Sequence, residues 1–231
     1  MSERTSYELG DGVATITIDD GKVNALSVET LGAISSELDR AEADEAVVLL
    51  TGRATTFSAG FDLRTELAGW PEMLIAGARL SERLLSFPQP TVIACNGNAI
   101  AMGAFLLLSS DYRIGTAGPY RIVANEVAIG ITMPHFAVEI CRQRLAPAHY
   151  HRAVIQSESS DPEQAVVAGW LDRVVPAAEL MDAARAKVAE LLKLNAAAHA
   201  ATKLRARALA LQAVHAAIAN DRTEFKTLFG L

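Results

Sequence analysis

The chain has 231 residues, of which 51% are hydrophobic and 21% charged, enough for a sizeable core and unlike a disordered segment. A formal charge of −6, 6% aromatics and no basic stripe exclude nucleic acid as the natural partner. The two cysteines, Cys95 and Cys141, sit in apolar stretches without ligand spacing. That argues against a disulfide framework or a zinc site and for a reducing, cytoplasmic setting.

The polar start, with Glu3 and Glu8, reads as free of a signal peptide. Gly10-Asp11-Gly12 is a hairpin turn between Tyr7-Glu8-Leu9 and a strand at Val13–Ile18, whose alternation gives one buried face. It is not a dinucleotide loop, which would follow a strand and open a helix. Ser27 caps a helix carrying Leu31, Ile34 and Leu38, and residues 46–51 form a buried strand. Pro71 suits the first turn of a helix with Leu74, Ala78, Leu80 and Leu84 along one side, reaching to Phe87. Thr91–Cys95 is a second buried strand.

Residues 101–109 are apolar nearly all round, which places that helix in the middle of the fold. The most apolar window, 100–108, is about half the length needed to cross a bilayer, so no membrane anchor is expected. Strands follow at Tyr112–Thr116 and 120–124. After Pro134 the chain reads as helical, with a capping box from Ser160 to Glu163 and a stop at Gly169. A short extended piece at 171–175 precedes two helices, 177–194 and 197–220. The second carries Leu204, Leu211, Val214 and Ile218 as one apolar seam. The class is α/β with a helical extension, divided into a core at 1–175 and a helical region at 176–231.

Three segments differ from ordinary connections. Phe57-Ser58-Ala59-Gly60-Phe61-Asp62 and Asn96-Gly97-Asn98-Ala99-Ile100-Ala101-Met102-Gly103 are small-residue turns after buried strands, each expected to lead into a helix. Together they could present two backbone amides as an oxyanion hole, each donor typically worth ~10²–10³ in kcat. Taken singly, each is equally a plain turn or a point of close packing. Ser58 lacks the Gly-x-Ser-x-Gly setting of a nucleophile, because position 56 is Thr56. In the third segment, Glu126 is the one carboxylate of an apolar stretch running to Pro134. Such a setting raises a carboxyl pKa and suits a general base, whereas an exposed or salt-bridged glutamate is the plainer alternative. His149 and His151 are spaced i, i+2 and point to different sides of a helix, so no metal site is expected. His135 lies near the third segment.

These segments, in this order, resemble the crotonase (enoyl-CoA hydratase/isomerase) superfamily. The match runs from Lys22-Val23-Asn24-Ala25-Leu26 to about Val175, roughly two thirds of the chain. It takes in Ser110-Asp111-Tyr112-Arg113-Ile114 and Ala165-Val166-Val167-Ala168-Gly169-Trp170-Leu171-Asp172. The resemblance implies a spiral of ββα turns, a helical C-terminal trimerisation region in a homotrimer or a dimer of trimers, and an acyl-CoA thioester substrate of the kind met in fatty acid metabolism. Coenzyme A is then part of the substrate, and no separate cofactor is implied. The family's oxyanion amides carry over to Phe61 and Met102. Where the family usually has Gly-Gly, this chain reads Ala101-Met102-Gly103, so Met102 is expected to crowd the acyl pocket. Lys22, Val23, Ala25 and the run Ser58, Ala59, Gly60, Phe61, Asp62 match the CoA-contacting loops, with Lys22, Arg53 and Arg64 as candidate phosphate contacts. The C-terminus is short for the family, so its helical lid is expected to be reduced or supplied by a neighbour.

Hydratases of this family hold water between two glutamates. The position matching the first is Phe105, expected to line the pocket; the position matching the second is Glu126. The pattern from Asn125 to Pro134 looks like the mitochondrial-type Δ3,Δ2-enoyl-CoA isomerases, which use one glutamate. By that analogy Glu126 moves a proton from C2 to C4 while the amides of Phe61 and Met102 hold the dienolate oxygen. The alternatives are a hydratase with a second acid from His135 or Glu139, another CoA-thioester reaction such as hydrolysis or decarboxylation, and a non-catalytic acyl-CoA-binding protein.

Overall fold

Asp11 and Gly12 both take left-handed backbone (φ 51° and 75°), the geometry of a two-residue hairpin turn. They join β1 (Thr5–Gly10) to β2 (Val13–Ile18) with Gly10 opposite Val13. In the computed structural model, which describes residues 4–53 and 55–229, this hairpin is the only antiparallel part of a six-stranded sheet. Glu3 and Leu231 lie outside the described residues. Parallel to β2 run β4 (Val47–Thr51), β7 (Thr91–Cys95), β9 (Tyr112–Thr116) and β11 (Arg173–Val175), in spatial order β1-β2-β4-β7-β9-β11.

The continuous apolar run of β4 reflects burial on both faces. Val48 and Leu50 enter the main core, whereas Val47 and Leu49 join Val92, Ala94 and Ile114 beneath α7 (Leu180–Leu191). The main core lies under α1 (Val28–Ala43) and α2 (Trp70–Ser86). Ser27 caps α1, its Oγ accepting from the Thr30 amide. At the centre sits α3 (Met102–Ser109), with every residue buried.

Short strands form a second layer that the hydrophobic pattern did not announce. These are β3 (Ala25–Leu26), β5 (Thr56–Ser58), β6 (Gly60–Phe61), β8 (Asn98–Ile100) and β10 (Ile122–Val123). They pair as β10-β8-β5 and β3-β6, all parallel. Each turn of chain thus lays one strand in the large sheet and a shorter one in the second layer. An α-helix follows β3 and β8 directly and follows β6 after a short 3-10 segment, which gives the expected spiral of ββα turns.

Several expectations need correction. The loop at Phe57 to Asp62 does not open a helix: a turn and a 3-10 segment at Leu67–Gly69 separate it from α2. The strand expected at 120–124 contracts to β10. The capping box belongs to Asp161 and Gln164, ahead of α6 (Pro162–Ala168), because the Asp161 carboxylate accepts the Gln164 amide at 2.7 Å. Ser160 instead pairs its backbone with Ile122. Gly169 stops α6 in left-handed backbone, as expected. The helix expected at 177–194 is a 3-10 turn, Ala177–Glu179, followed by α7. The single helix expected at 197–220 is two, α8 (Ala196–Ala206) and α9 (Ala208–Phe229), broken at Arg207. The break takes Leu204 out of the seam and leaves it 47% exposed, while Val214 and Ile218 stay buried.

Between β10 and α6 lie a 3-10 turn at Val127–Ile129, α4 (His135–Arg144) and α5 (Pro147–Gln156). The C-terminal helices dock on this part and on α2, through two carboxylates. Asp221 accepts the amides of His135 and Phe136 at 2.7 and 2.9 Å and so caps α4. Asp111 binds Lys203 at 2.6 Å and Arg207 at 2.9 Å, both largely buried, and accepts the Thr91 amide. Among the described residues no helix is long and apolar enough to cross a membrane.

Removing Asp111 would leave two buried cations without their carboxylate. Asp111→Ala is therefore expected to cost about 3–5 kcal/mol in denaturant unfolding. Hydrogen exchange should speed up first in α8 and α9, because these are the helices that Asp111 fastens.

Candidate active site

Asn24 organises the first wall of the site. It is fully buried in left-handed backbone (φ 54°), a conformation asparagine tolerates better than most residues. Its amide nitrogen donates to the carbonyls of Ile18, Thr56 and Phe57, and its Oδ1 accepts from Asp20 N. The Asp20 carboxylate in turn accepts the amides of Lys22, Asn24 and Ala25. The loop from Lys22 to Ala25 is thereby shaped by hydrogen bonds within the chain. Ser58 Oγ donates to Asn24 O at 2.8 Å and accepts from Gly60 N at 3.1 Å. It is buried with both roles used, which fits a structural serine and not a nucleophile.

Two turns then meet backbone to backbone. Gly60 has φ 87°, and a Cβ placed on it would lie 2.8 Å from Ile100 O and 3.0 Å from Ala101 Cβ. Only glycine allows this approach. In the parallel pair β3-β6, Leu26 stands opposite Phe61 and its carbonyl accepts from Asp62 N at 3.2 Å. By the alternation of a parallel ladder, the Phe61 N–H projects to the other side of β6, where no strand pairs with it. Ala101 is held at φ 48°, ψ −119°, strained for a residue with a side chain, and it turns the chain into α3. Met102 is the first residue of that helix, so its amide has no acceptor within the helix and lies at the positive end of the helix dipole.

The third wall carries Glu126. Its side chain follows β10 and precedes the 3-10 turn, and the residue is only 6% exposed. Oε2 is buried without a hydrogen-bond partner. Burial raises its pKa from the ordinary 4.5 to about 7. The Cys141 thiol is pushed well up by its own burial and by the Glu126 charge, so it stays protonated.

Glu126, Phe61 and Ala101 line one small pocket, together with Ala59, Asn125 and an apolar wall that includes Trp70, Leu74 and Ile131. Glu126 is the only ionisable side chain among the described residues of this lining. The apolar wall was not foreseen; the lone Trp70 beside the small-residue loop was the available signal. Other expected residues lie elsewhere. Phe105 is fully buried and stands edge-on to Phe136, with centroids 6.0 Å apart, rather than at the pocket wall. The Met102 side chain is also fully buried and outside the lining, so it does not crowd the pocket in this structure.

Asp62 is paired with Arg64 at 2.8 Å, and this bond holds its carboxyl below the usual range. Arg53 donates to Lys22 O and lies 3.5 Å from Asp19. His135 faces Glu224 at 3.0 Å and Glu139 faces Arg142, so both candidate second acids are engaged on the surface.

The family model described as Enoyl-CoA hydratase/isomerase matches residues 8–230. An enoyl-CoA hydratase/isomerase family protein from Pseudomonas syringae is 46% identical in sequence, with a TM-score of 0.95 over 97% of this chain and 99% of that one. A Mycobacterium tuberculosis protein, described as an enoyl-CoA isomerase in one structure and as a probable enoyl-CoA hydratase in another, is 42% identical in the first, with a TM-score of 0.93 over 97% and 100%. An enoyl-CoA hydratase from Mycobacterium marinum is also 42% identical, with a TM-score of 0.93 over 96% and 99%.

A carboxyl that is harder to ionise when folded makes the fold bind more protons than the unfolded chain. Stability is then fully present below the unfolded pKa and falls as pH rises from about 4.5 to about 7. Glu126→Gln abolishes this loss. The variant should match the parent near pH 4.5 and exceed it by about 3 kcal/mol at pH 8 in urea unfolding.

Proposed function

The chain belongs to the enoyl-CoA hydratase/isomerase family, and on that premise we propose that it moves the double bond of a 3-enoyl-CoA to the 2-position, with Glu126 as the sole proton carrier. The observation that carries this reading is the single ionisable group, among the described residues, on a largely apolar pocket wall. Two-carboxylate hydration needs one group to activate water and another to deliver a proton. Phe105 supplies neither, and His135 and Glu139 are engaged elsewhere.

In the proposed reaction the Glu126 carboxylate takes the proton from C2. The C2–H electron pair spreads over a dienolate whose charge rests on the thioester oxygen. The amides of Phe61 and Met102 donate to that oxygen, one from a free strand side and one from a helix start. The Glu126 carboxylic acid then returns its proton to C4, and the double bond moves from C3–C4 to C2–C3. A base with a pKa of about 7 suits both halves, being ionised enough to accept and acidic enough to give back. Coenzyme A would lie against Lys22, Val23, Ala25 and the stretch Ser58 to Asp62, where most backbone groups already have partners and the surface is preformed. The family resemblance further suggests a trimer or a dimer of trimers. Two buried free cysteines suit a reducing, cytoplasmic setting.

Purified protein given a 3-enoyl-CoA should yield an isobaric 2-enoyl-CoA, read by mass and by the absorbance of the conjugated thioester. Glu126→Gln should lower kcat by about 10²–10⁴ and leave acyl-CoA affinity nearly unchanged. In the parent, kcat/KM should fall as pH drops below about 7. A product heavier by one water would sink the one-carboxylate mechanism.

A further inference from the structure

Gly77 is the one residue without a side chain on the buried stripe of α2. The buried face of α2 runs Met73, Leu74, Gly77, Ala78, Leu80, Ser81, Leu84 and Leu85. A glycine in the middle of a 17-residue helix weakens it relative to alanine, so a packing reason is to be sought. A Cβ added at Gly77 would lie 2.7 and 2.8 Å from Cε1 and Cζ of Phe61 and 3.0 Å from Sδ of Met102. The ring edge of Phe61 and the thioether of Met102 therefore rest directly on the bare helix backbone. Those same two residues supply the proposed oxyanion amides, but their side chains point into the seat on α2.

A methyl group at 77 would displace both. Met102 is fully buried, whereas Phe61 is 8% exposed and lines the pocket. The free volume beside the ring is the pocket itself. The backbone of β6 is held by its pairing with β3, so the ring moves while the amide stays.

We propose that Gly77 is a specificity-determining position, whose missing side chain lets the Phe61 ring lie back on α2 and keeps the pocket open to a long acyl chain. This rests on the acyl-CoA reading above, though not on which reaction follows. Glycine is then kept at 77 for the room it leaves, at the expense of helix stability.

Calorimetric binding of butanoyl-CoA and decanoyl-CoA, saturated thioesters without a double bond to shift, tests the idea on the full chain. In Gly77→Ala the Kd for decanoyl-CoA should rise about tenfold, while that for butanoyl-CoA stays within about twofold. Adding Phe61→Leu to Gly77→Ala should restore decanoyl-CoA binding. An unchanged decanoyl-CoA affinity, or an equal loss for both ligands, overturns the proposal. Failure of the parent to bind either thioester overturns the acyl-CoA reading instead. Should Gly77→Ala not fold, the double variant is compared with Phe61→Leu alone. Without the ring, the methyl must leave decanoyl-CoA affinity unchanged, and a loss there overturns the proposal.

Discussion

The site depends on one close approach, where Gly60 lies against Ile100 and Ala101 with no side chain between them. This contact sets the spacing of the second layer, because β6 and the end of β8 belong to successive turns of the spiral. Similar constraints recur above and below it. A Cβ on Gly97 would meet Thr55 O at 2.0 Å, and one on Gly103 would meet Ser58 Cβ at 2.8 Å. Backbone contacts of this kind resist small adjustments, since neither partner can rotate away as a side chain does. On the proposed reading, the amides of Phe61 and Met102 are mounted on such turns and so are fixed by backbone packing. That is the condition for electrostatic help that needs no reorganisation during a reaction.

The same packing explains the state of Glu126. The wall around it is aliphatic and aromatic, and its Oε2 has no protein partner, so its charge is resisted by desolvation alone. An arginine or lysine beside it would have lowered the pKa and made a poor base at neutral pH. Among the described residues, the largely buried Lys203 and Arg207 are committed to Asp111 and the buried Arg113 to Asp172. Those pairs fasten the C-terminal helices and the end of the sheet, and they keep positive charge away from the carboxylate. Stability and reactivity are thus served by separate sets of charges.

How much of this could be read from the residues depended on the kind of signal. The long parallel strands Val47–Thr51 and Thr91–Cys95 were legible because both faces are buried and each carries a continuous apolar run. The second layer was not legible, because strands of two or three residues show no period. The fold family was accessible through ordered motifs instead. At the site, Glu126 stood out as a lone carboxylate in an apolar stretch, and the small residues near Gly60 and Ala101 marked the turns. The seating of Phe61 and Met102 on Gly77 was hidden, since it joins positions far apart in sequence. The break at Arg207 was hidden too: helical propensity runs straight through it, and only the bonds from its guanidinium to Leu85, Ser110 and Asp111 reveal why the chain turns there.

One carboxylate and two amides place a limit on the chemistry. Adding water across a double bond needs the oxygen and the proton to arrive from two held groups, and an apolar wall offers water few partners to hold it in place. Moving a proton between two carbons of one bound molecule needs a single group that can reach both, with a pKa between those of a strong and a weak base. A buried glutamate without a partner oxygen meets that need, because its acid and base forms are close in free energy near neutral pH. Phe105 stands edge-on to Phe136 and adds to the core around α3, and on the proposed reading the pocket is left with one carboxylate. On the proposed reading the arrangement is consistent within itself, with one buried carboxylate on a largely apolar pocket wall.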